Sequence, residues 1–261
     1  MASAATLAAA IELKALRVTI GGRVLIDDLT LAVGAGELWC LLGANGAGKT
    51  MLLHTLVGLH RAAAGSVRLC GKPLAEWKID DAARLRAFLP QFIPPTINTT
   101  VLDLVLMGRH PHLSRWRWED DADRDIALLA LQSVHLDTLA GHDAAALSGG
   151  ERQRAAIAAL FAQAAPVMLL DEPVAHLDLH HQIVVLQRLQ ALAADGHALM
   201  FSIHDLNLAR RFATHALVVM GDGSATHGPV ERVMNEATLS AAFDYPVLSF
   251  TAGSRTVFVA E

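Results

Sequence analysis

The chain has 261 residues, 53% apolar, 18% charged and only 5% aromatic, with a mean hydropathy of +0.37. That is long enough for one large domain, or a core with a smaller lobe, and too apolar for a disordered tail. With 21 basic and 26 acidic residues the net charge is −5, so bulk attraction to DNA or RNA is not expected and no nucleic-acid partner is assigned.

The high apolar content raises the question of a membrane span. The longest stretches without a charged residue run from Ala87 to Leu102 and from Ala155 to Leu170. Both fall short of the ~20 residues a spanning helix needs, and the first holds Pro90, Pro94 and Pro95. The N-terminal MASAATLAAAIELK has no basic region ahead of its apolar part, so it does not read as a signal peptide, and a cytoplasmic protein is expected. Cys40 and Cys70 sit in apolar runs and read as buried thiols of a reducing compartment.

In chain order, residues 11–33 alternate in part around Gly21-Gly22 and predict an antiparallel hairpin. Residues 37–42 (ELWCLL) predict a short buried strand, followed by a glycine-rich turn and a helix over Thr50–Leu59. Residues 93–165 read as a helical lobe, with helices near 100–109, 119–134 and 149–164. Then strands and helices alternate: PVMLL, a helix whose apolar face carries Leu179, Ile183, Leu186 and Leu189, then HALMFSI, LNLARRFA and HALVVM. The last 40 or so residues (about 222–261) predict one helix and two short strands. Strands alternating with helices imply a mostly parallel α/β sheet covered on both faces, with the helical lobe inserted into it.

Three local patterns carry chemistry. Gly43-Ala44-Asn45-Gly46-Ala47-Gly48-Lys49-Thr50 fits G-x-x-x-x-G-K-[ST] between a strand and a helix. Its backbone N–H groups can cradle phosphates at a helix N-terminus, Lys49 adds a point charge, and Thr50 offers a hydroxyl to Mg²⁺. Val167–Leu170 is an apolar strand ending in Asp171 and Glu172, candidates for Mg²⁺ binding through water and for polarising an attacking water; a helix N-cap is the structural alternative. Ser148-Gly149-Gly150-Glu151 reads as a capped helix start whose exposed dipole end suits a second anion.

Taken together, LSGGERQR, the phosphate loop and LLDEP resemble the ATP-binding subunit of ATP-binding-cassette (ABC) transporters, over about residues 11–235 and in that family's order. The resemblance implies a single P-loop ATPase domain over 1–261, with a mostly parallel sheet, an N-terminal antiparallel β-subdomain and the inserted helical subdomain. It implies ATP on Gly43, Asn45, Gly46, Ala47, Gly48, Lys49 and Thr50, and Mg²⁺ near Thr50, Gln91 and Asp171. Gln91 takes the place of the Q-loop glutamine, Glu172 that of the catalytic glutamate, and His204 that of the switch histidine. Ser148, Gly149 and Gly150 resemble the signature motif and Asp178 the D-loop aspartate; in the family these close on ATP held by the other subunit. A homodimer with shared sites is therefore implied, on the cytoplasmic face of the inner membrane.

Val105-Leu106-Met107-Gly108-Arg109-His110-Pro111-His112 is similar to the GRxPH segment of importers for ferric siderophores, haem and vitamin B12, and Asp178-Leu179-His180-His181-Gln182 is similar to the LDLxHQ of the same group. That group works with two copies of a membrane permease and a periplasmic binding protein. The short Gln153–Val167 spacing favours siderophore or corrinoid over haem. The alternatives are an ATPase of another ABC transporter class, against which the GRHPH segment speaks, a soluble ABC ATPase, which usually has two cassettes or long coiled-coil insertions where this sequence has neither, and a scaffold without turnover, against which the filled catalytic positions speak.

Three further features stand apart. The family usually stacks adenine on a tyrosine just before the first glycine pair; here that residue is Ile20, and the chain's single tyrosine is Tyr245. Weak nucleotide affinity with limited base discrimination is expected, with Arg23 a substitute over the base. His176 and His180 are spaced to bind zinc from one helix face, but read as D-loop and helix-surface histidines. Arg109, Arg115, Trp116, Arg117 and Trp118 read as an exposed face of the lobe, part of it a contact for the permease.

Overall fold

Gly21 and Gly22, both at positive φ, close a two-residue turn between β1 (Ile11–Ile20) and β2 (Arg23–Val33), with Ile20 paired to Arg23. Such a turn needs left-handed backbone at both positions, which glycine adopts freely. The computed structural model describes residues 9–94, 99–113, 119–253 and 255–261.

Chain order continues with β3 (Leu38–Leu42), α1 (Lys49–Val57), β4 (Ala64–Leu69), β5 (Lys72–Pro73), α2 (Ile79–Leu85), β6 (Arg86–Leu89), α3 (Val101–Leu106), α4 (Asp121–Ser133) and α5 (Gly149–Ala162). It then runs through β7 (Val167–Leu170), α6 (Leu179–Ala194), β8 (Ala198–Ser202), α7 (Leu206–Phe212), β9 (His215–Val219), β10 (Ala225–Pro229), α8 (Val230–Val233), α9 (Glu236–Phe243), β11 (Val247–Ala252) and β12 (Arg255–Ala260). The main sheet has the order β10-β9-β3-β8-β7-β6, parallel from β9 to β6 with β10 antiparallel at the edge. A second, antiparallel sheet has the order β2-β1-β4-β5, and β11 and β12 form a two-stranded antiparallel pair.

The period of two along a strand divides the core between the main sheet's faces. Leu38, Cys40, Leu42, Met168, Leu170, Leu199 and Phe201 pack with the lobe helices and α6 and α7. Trp39, Leu41, Val167, Leu169, Ala198 and Met200 pack with α1 and the antiparallel sheet. Strands buried on both faces explain the continuous apolar runs in β3, β7 and β8.

The lobe helices α3, α4 and α5 each open with a reciprocal capping box, Thr100 with Asp103, Asp120 with Asp123 and Ser148 with Glu151. The first helix is shorter than the expected 100–109. Its α-helical part ends at Leu106 and a 3₁₀ turn follows over Met107–His112, with Pro111 inside it. A Cβ on Gly108 would lie 2.1 Å from the Ala159 carbonyl oxygen, so this turn lies directly on the α5 backbone.

Several expectations need correction. Arg109 is not on an exposed face: it is 8% exposed, pairs with Asp123 at 2.9 Å and donates to the Ala162 carbonyl at 2.7 Å. The other residues of that cluster, Arg115–Trp118, lie outside the described residues. Cys40 is buried, its thiol pushed up to about 12 by desolvation, but Cys70 is exposed in the turn between β4 and β5. Leu179 is exposed at the first turn of α6; the buried face is carried by Val185, Leu186, Leu189 and Leu192. The C-terminal part holds two helices and three strands, because β10, which lacks apolar alternation, is recruited as an antiparallel edge by backbone pairing to β9.

Candidate active site

The phosphate-loop residues leave β3 and enter α1 through backbone that only glycine tolerates. Gly43 has φ 144 and a Cβ there would lie 2.5 Å from the Val219 carbonyl oxygen; Gly48 has φ 112 and a Cβ would lie 2.9 Å from Leu25 Cβ. The fixed glycines are thus imposed by the neighbouring strands as well as by phosphate approach. Gly48 is the N-cap of α1 and makes no side-chain cap, so the helix's first N–H groups face the loop's cradle. Gly43 and buried Ala47 underlie the cradle, while Asn45, Gly46, Gly48, Lys49 and Thr50 line a cavity of ≈ 320 Å³ that Gln91 and Glu172 also border.

Lys49 is buried, and its ammonium donates to the Gly43 and Ala44 carbonyls at 2.8 and 3.1 Å. Burial pushes its pKa below the ordinary lysine value, opposed by the nearby carboxylates of Glu172 and Asp171. The loop is thereby curled around a cation ready to meet a phosphate.

Asp171 and Glu172 stand just past the C-terminal end of β7. Asp171 is 1% exposed; its backbone N–H donates to the Leu89 carbonyl at 2.9 Å. Ser202, at the end of β8, ties the pair together. Its hydroxyl donates to Asp171 Oδ1 at 2.6 Å and accepts from the Glu172 N–H at 2.8 Å. Glu172 has φ 49, a left-handed conformation that costs a non-glycine residue about 1 kcal/mol or more. That conformation directs its carboxylate toward His204, whose Nε2 lies 2.8 Å from Glu172 Oε1 in position to donate to it. Asp171 Oδ2 is buried and has no hydrogen-bond partner among the described residues. A buried carboxylate oxygen left unpaired is costly, and a hard cation or its bound water satisfies it, so the donor set of Asp171 and Thr50 fits Mg²⁺.

Ser148, Gly150, Asp178 and His181 line a different cavity, also ≈ 320 Å³, and no residue borders both. The Ser148 hydroxyl accepts from the Glu151 N–H at 3.3 Å and donates to Glu151 Oε2 at 2.6 Å. Gly149 has open space around its Cβ position, whereas a Cβ on Gly150 would touch the His176 carbonyl at 3.5 Å. Asp178 caps α6, accepting from the His181 N–H at 2.9 Å, and its pKa is held low first by that backbone bond and then by the His181 ring. From α5, the helix that begins at the signature glycines, the Gln153 amide donates to the Pro173 carbonyl at 3.1 Å, one residue past Glu172.

The structure thus brings Asn45, Gly46, Gly48, Lys49, Thr50, Gln91 and Glu172 to one cleft, sets Asp171 and His204 behind Glu172, and leaves Ser148, Gly149, Gly150 and Asp178 apart. Ile20 and Arg23 border the phosphate-loop cleft, although Arg23 Nη2 also donates to the Gly221 carbonyl at 3.3 Å. Ser202 and Gln153 are the residues that reading the motifs missed. The available signal for Ser202 was a lone hydroxyl within the apolar run ALMFSI.

A phosphate loop, a strand-end carboxylate pair held by a serine and a separate glycine-led helix start define a P-loop ATPase of the cassette type. Residues 26–175 match the ABC transporter family, and the chain belongs to that family. It is 40% identical over 237 residues to the hemin import ATP-binding protein HmuV of Streptomyces coelicolor, covering 90% of this chain and 83% of that protein. It is 38% identical over 225 residues to the iron(3+)-hydroxamate import ATP-binding protein FhuC of Bacillus subtilis, covering 85% and 83%. Among solved structures it superposes with TM-score 0.83 on a chain described as belonging to a metal-chelate type ABC transporter in an inward-facing conformation, at 28% identity, covering 97% and 98%. The domain is an ABC ATPase domain of the kind found in ATP-binding subunits of importers. No helix among the described residues is long and apolar enough to cross a membrane.

Proposed function

We propose that this chain is the ATP-hydrolysing subunit that powers import of an iron complex, ferric siderophore or haem, or of vitamin B12, through a separate membrane permease. Its relatives include importers of hemin and of iron(3+)-hydroxamate at nearly equal identity, so neither iron cargo is preferred over the other. Two copies of the chain act on two copies of the permease from the cytoplasmic face of the inner membrane, and a periplasmic binding protein delivers the cargo.

The observation that carries the catalytic reading is the chain of contacts from Asp171 through Ser202 to Glu172, which borders the phosphate cleft, and on to His204. Phosphoryl transfer to water needs positioning and charge neutralisation more than covalent help. The loop N–H groups and Lys49 hold the β- and γ-phosphates. Glu172 orients the attacking water and draws its proton, and Gln91 borders the same space. His204 positions Glu172 and presents a donor toward the γ-phosphate. Thr50 and Asp171, with Gln91, are the residues that would hold Mg²⁺, which would supply charge neutralisation at the phosphates.

The separation of Ser148, Gly149, Gly150 and Asp178 from the phosphate cleft supports a head-to-tail homodimer, in which one chain's signature helix start closes the other's ATP. Hydrolysis then depends on closure of the pair, and closure is the stroke passed to the permease.

The test is reconstitution of the chain with its permease in vesicles, measuring ATP-driven uptake of a ferric siderophore, haem and cobalamin side by side. Uptake of one of them, lost in a Glu172→Gln variant, supports the reading. ATP turnover with uptake of none of the three overturns it.

A further inference from the structure

The geometry points to a zinc site built from His135, His180 and His181, outside the phosphate-loop cleft, at the edge of the signature cavity, and joining the helical lobe to the start of α6. The imidazole nitrogens of these three residues lie within 4.8 Å of one another. Two come from the first turn of α6 and the third from the turn after α4, so two separately placed segments converge on one point. His176, the partner that sequence spacing offers to His180, is not in the group, although it and His181 both border the signature cavity.

The groups facing the three rings favour a cation. His181 Nδ1 lies 2.9 Å from both carboxylate oxygens of Asp178, which leaves its Nε2 free and makes that nitrogen a better ligand. A carboxylate behind a histidine is the usual support of a metal-bound imidazole, and it is an observation independent of the clustering. Among the described residues, neither the His135 ring nor the His180 ring has a hydrogen-bond partner; both are exposed, and each stacks or tilts against its neighbours at centroid distances of 5.2 to 6.4 Å. From α5, Arg154 reaches the backbone of this turn. Its Nη1 donates to the Val134 and His135 carbonyls at 2.9 and 3.0 Å, so its charge is spent on the backbone beneath the site, near the carboxylates of Glu151 and Asp178. His135 itself has φ 56, held by those same contacts.

Three neutral imidazoles suit a borderline divalent transition ion, and zinc takes them with a water in the fourth position. Zinc–nitrogen bonds of ~2.0–2.1 Å need donors roughly 3.4 Å apart, reached by side-chain rotations that move the exposed rings by about an ångström. A bound ion would clamp the turn after α4 onto the segment that carries Asp178.

The experiment uses the untagged, nucleotide-free full chain and zinc ion alone. Zinc is titrated against a competing chelator, cobalt(II) replaces it for visible spectroscopy, and melting temperature is followed with and without EDTA. One equivalent of zinc with micromolar or tighter affinity is expected, together with a tetrahedral cobalt spectrum and an EDTA-reversible rise in melting temperature. His135→Asn and His180→Asn should each weaken zinc binding about tenfold or more, with melting in EDTA unchanged because both side chains are exposed. In the wild-type chain, zinc should shift the imidazole NMR resonances of His135, His180 and His181 and leave those of His142 in place. This readout does not depend on the variants folding. Wild-type affinity in either variant, or unshifted resonances at any of the three histidines, overturns the proposal.

Discussion

His204 stands 2.8 Å from Glu172, and that contact joins the segment after β8 to the end of β7 beside the phosphate cleft, which Glu172 borders. Glu172 is held from the other side by the Ser202 hydroxyl on its backbone N–H, in a left-handed conformation that its own side chain does not favour. The carboxylate is thus aimed by two groups, Ser202 at the end of the neighbouring strand and His204 just beyond it.

Glu172→Gln should therefore retain ATP binding while steady-state phosphate release falls by about 10²-fold or more, the usual worth of a positioned base. A nucleotide-dependent dimer should accumulate in the variant, seen by size-exclusion chromatography with light scattering. Hydrolysis at a near wild-type rate would remove Glu172 from the role of base.

Ser202→Ala leaves both Asp171 Oδ1 and the Glu172 N–H without their partner in the buried strand end. Losing a buried partner costs about 1–3 kcal/mol, which for a chain of this size lowers the melting temperature by roughly 2–10 °C. Because the same hydroxyl orients Glu172, phosphate release should fall as well, with ATP affinity little changed. Calorimetry and a phosphate assay on one preparation check both parts. A stable variant with unimpaired turnover would contradict the positioning role.

The Arg109–Asp123 pair is buried, with side chains 10% and 5% exposed. Removing one member leaves the other as an unpaired charge, so Arg109→Met should cost about 3–5 kcal/mol in unfolding free energy. The double change Arg109→Met with Asp123→Leu should recover much of that loss. Urea unfolding of Arg109→Met, Asp123→Leu and the double variant gives the coupling directly; a double variant that loses as much as Arg109→Met alone would show that packing, and not charge, dominates.

Lys49 has its pKa lowered by burial, so the folded state binds its proton less tightly than the unfolded chain. Stability should therefore rise with pH between the depressed folded value and the ordinary 10.5, and the penalty of burying the ammonium is complete below that window. Lys49→Met lacks this dependence. The difference in unfolding free energy, wild type minus variant, should become more favourable to wild type as pH rises through the alkaline range, and the variant should lose nucleotide binding. A difference that is flat or falls with pH would contradict the burial account.

Ile20, half exposed at the edge of the phosphate-loop cleft, offers an apolar contact to a base and no aromatic face. Base stacking on an aromatic ring is worth ~1–3 kcal/mol, so Ile20→Tyr should tighten ATP binding by roughly fivefold or more. Wild type should separate ATP from GTP poorly. Fluorescent-nucleotide titration decides this, and unchanged affinity in Ile20→Tyr would place the base elsewhere.

What could be read directly along the chain was local and contiguous. A phosphate loop needs backbone N–H groups, a lysine and a hydroxyl within eight consecutive positions, and the flanking β3 and α1 follow from hydrophobic period. The hairpin turn at Gly21-Gly22, the capped helix start at Ser148 and the parallel α/β alternation were legible for the same reason. The GRHPH segment was legible as a pattern but not as a structure: its glycine and arginine serve the close seating of a turn on α5.

Burial and convergence came only with the packed fold. Whether Arg109 faces solvent depends on where Asp123 and the end of α5 dock, and charge alone suggested the opposite. Asp171 and Ser202 are 31 residues apart, and parallel strands that are neighbours in space bring them together. His135 meets His180 and His181 because the lobe folds back onto α6, a contact that no spacing along the chain encodes. Short-range motifs are written in backbone geometry, which a few adjacent residues control. Long-range pairs depend on which apolar faces bury against each other, a property of the whole packed core.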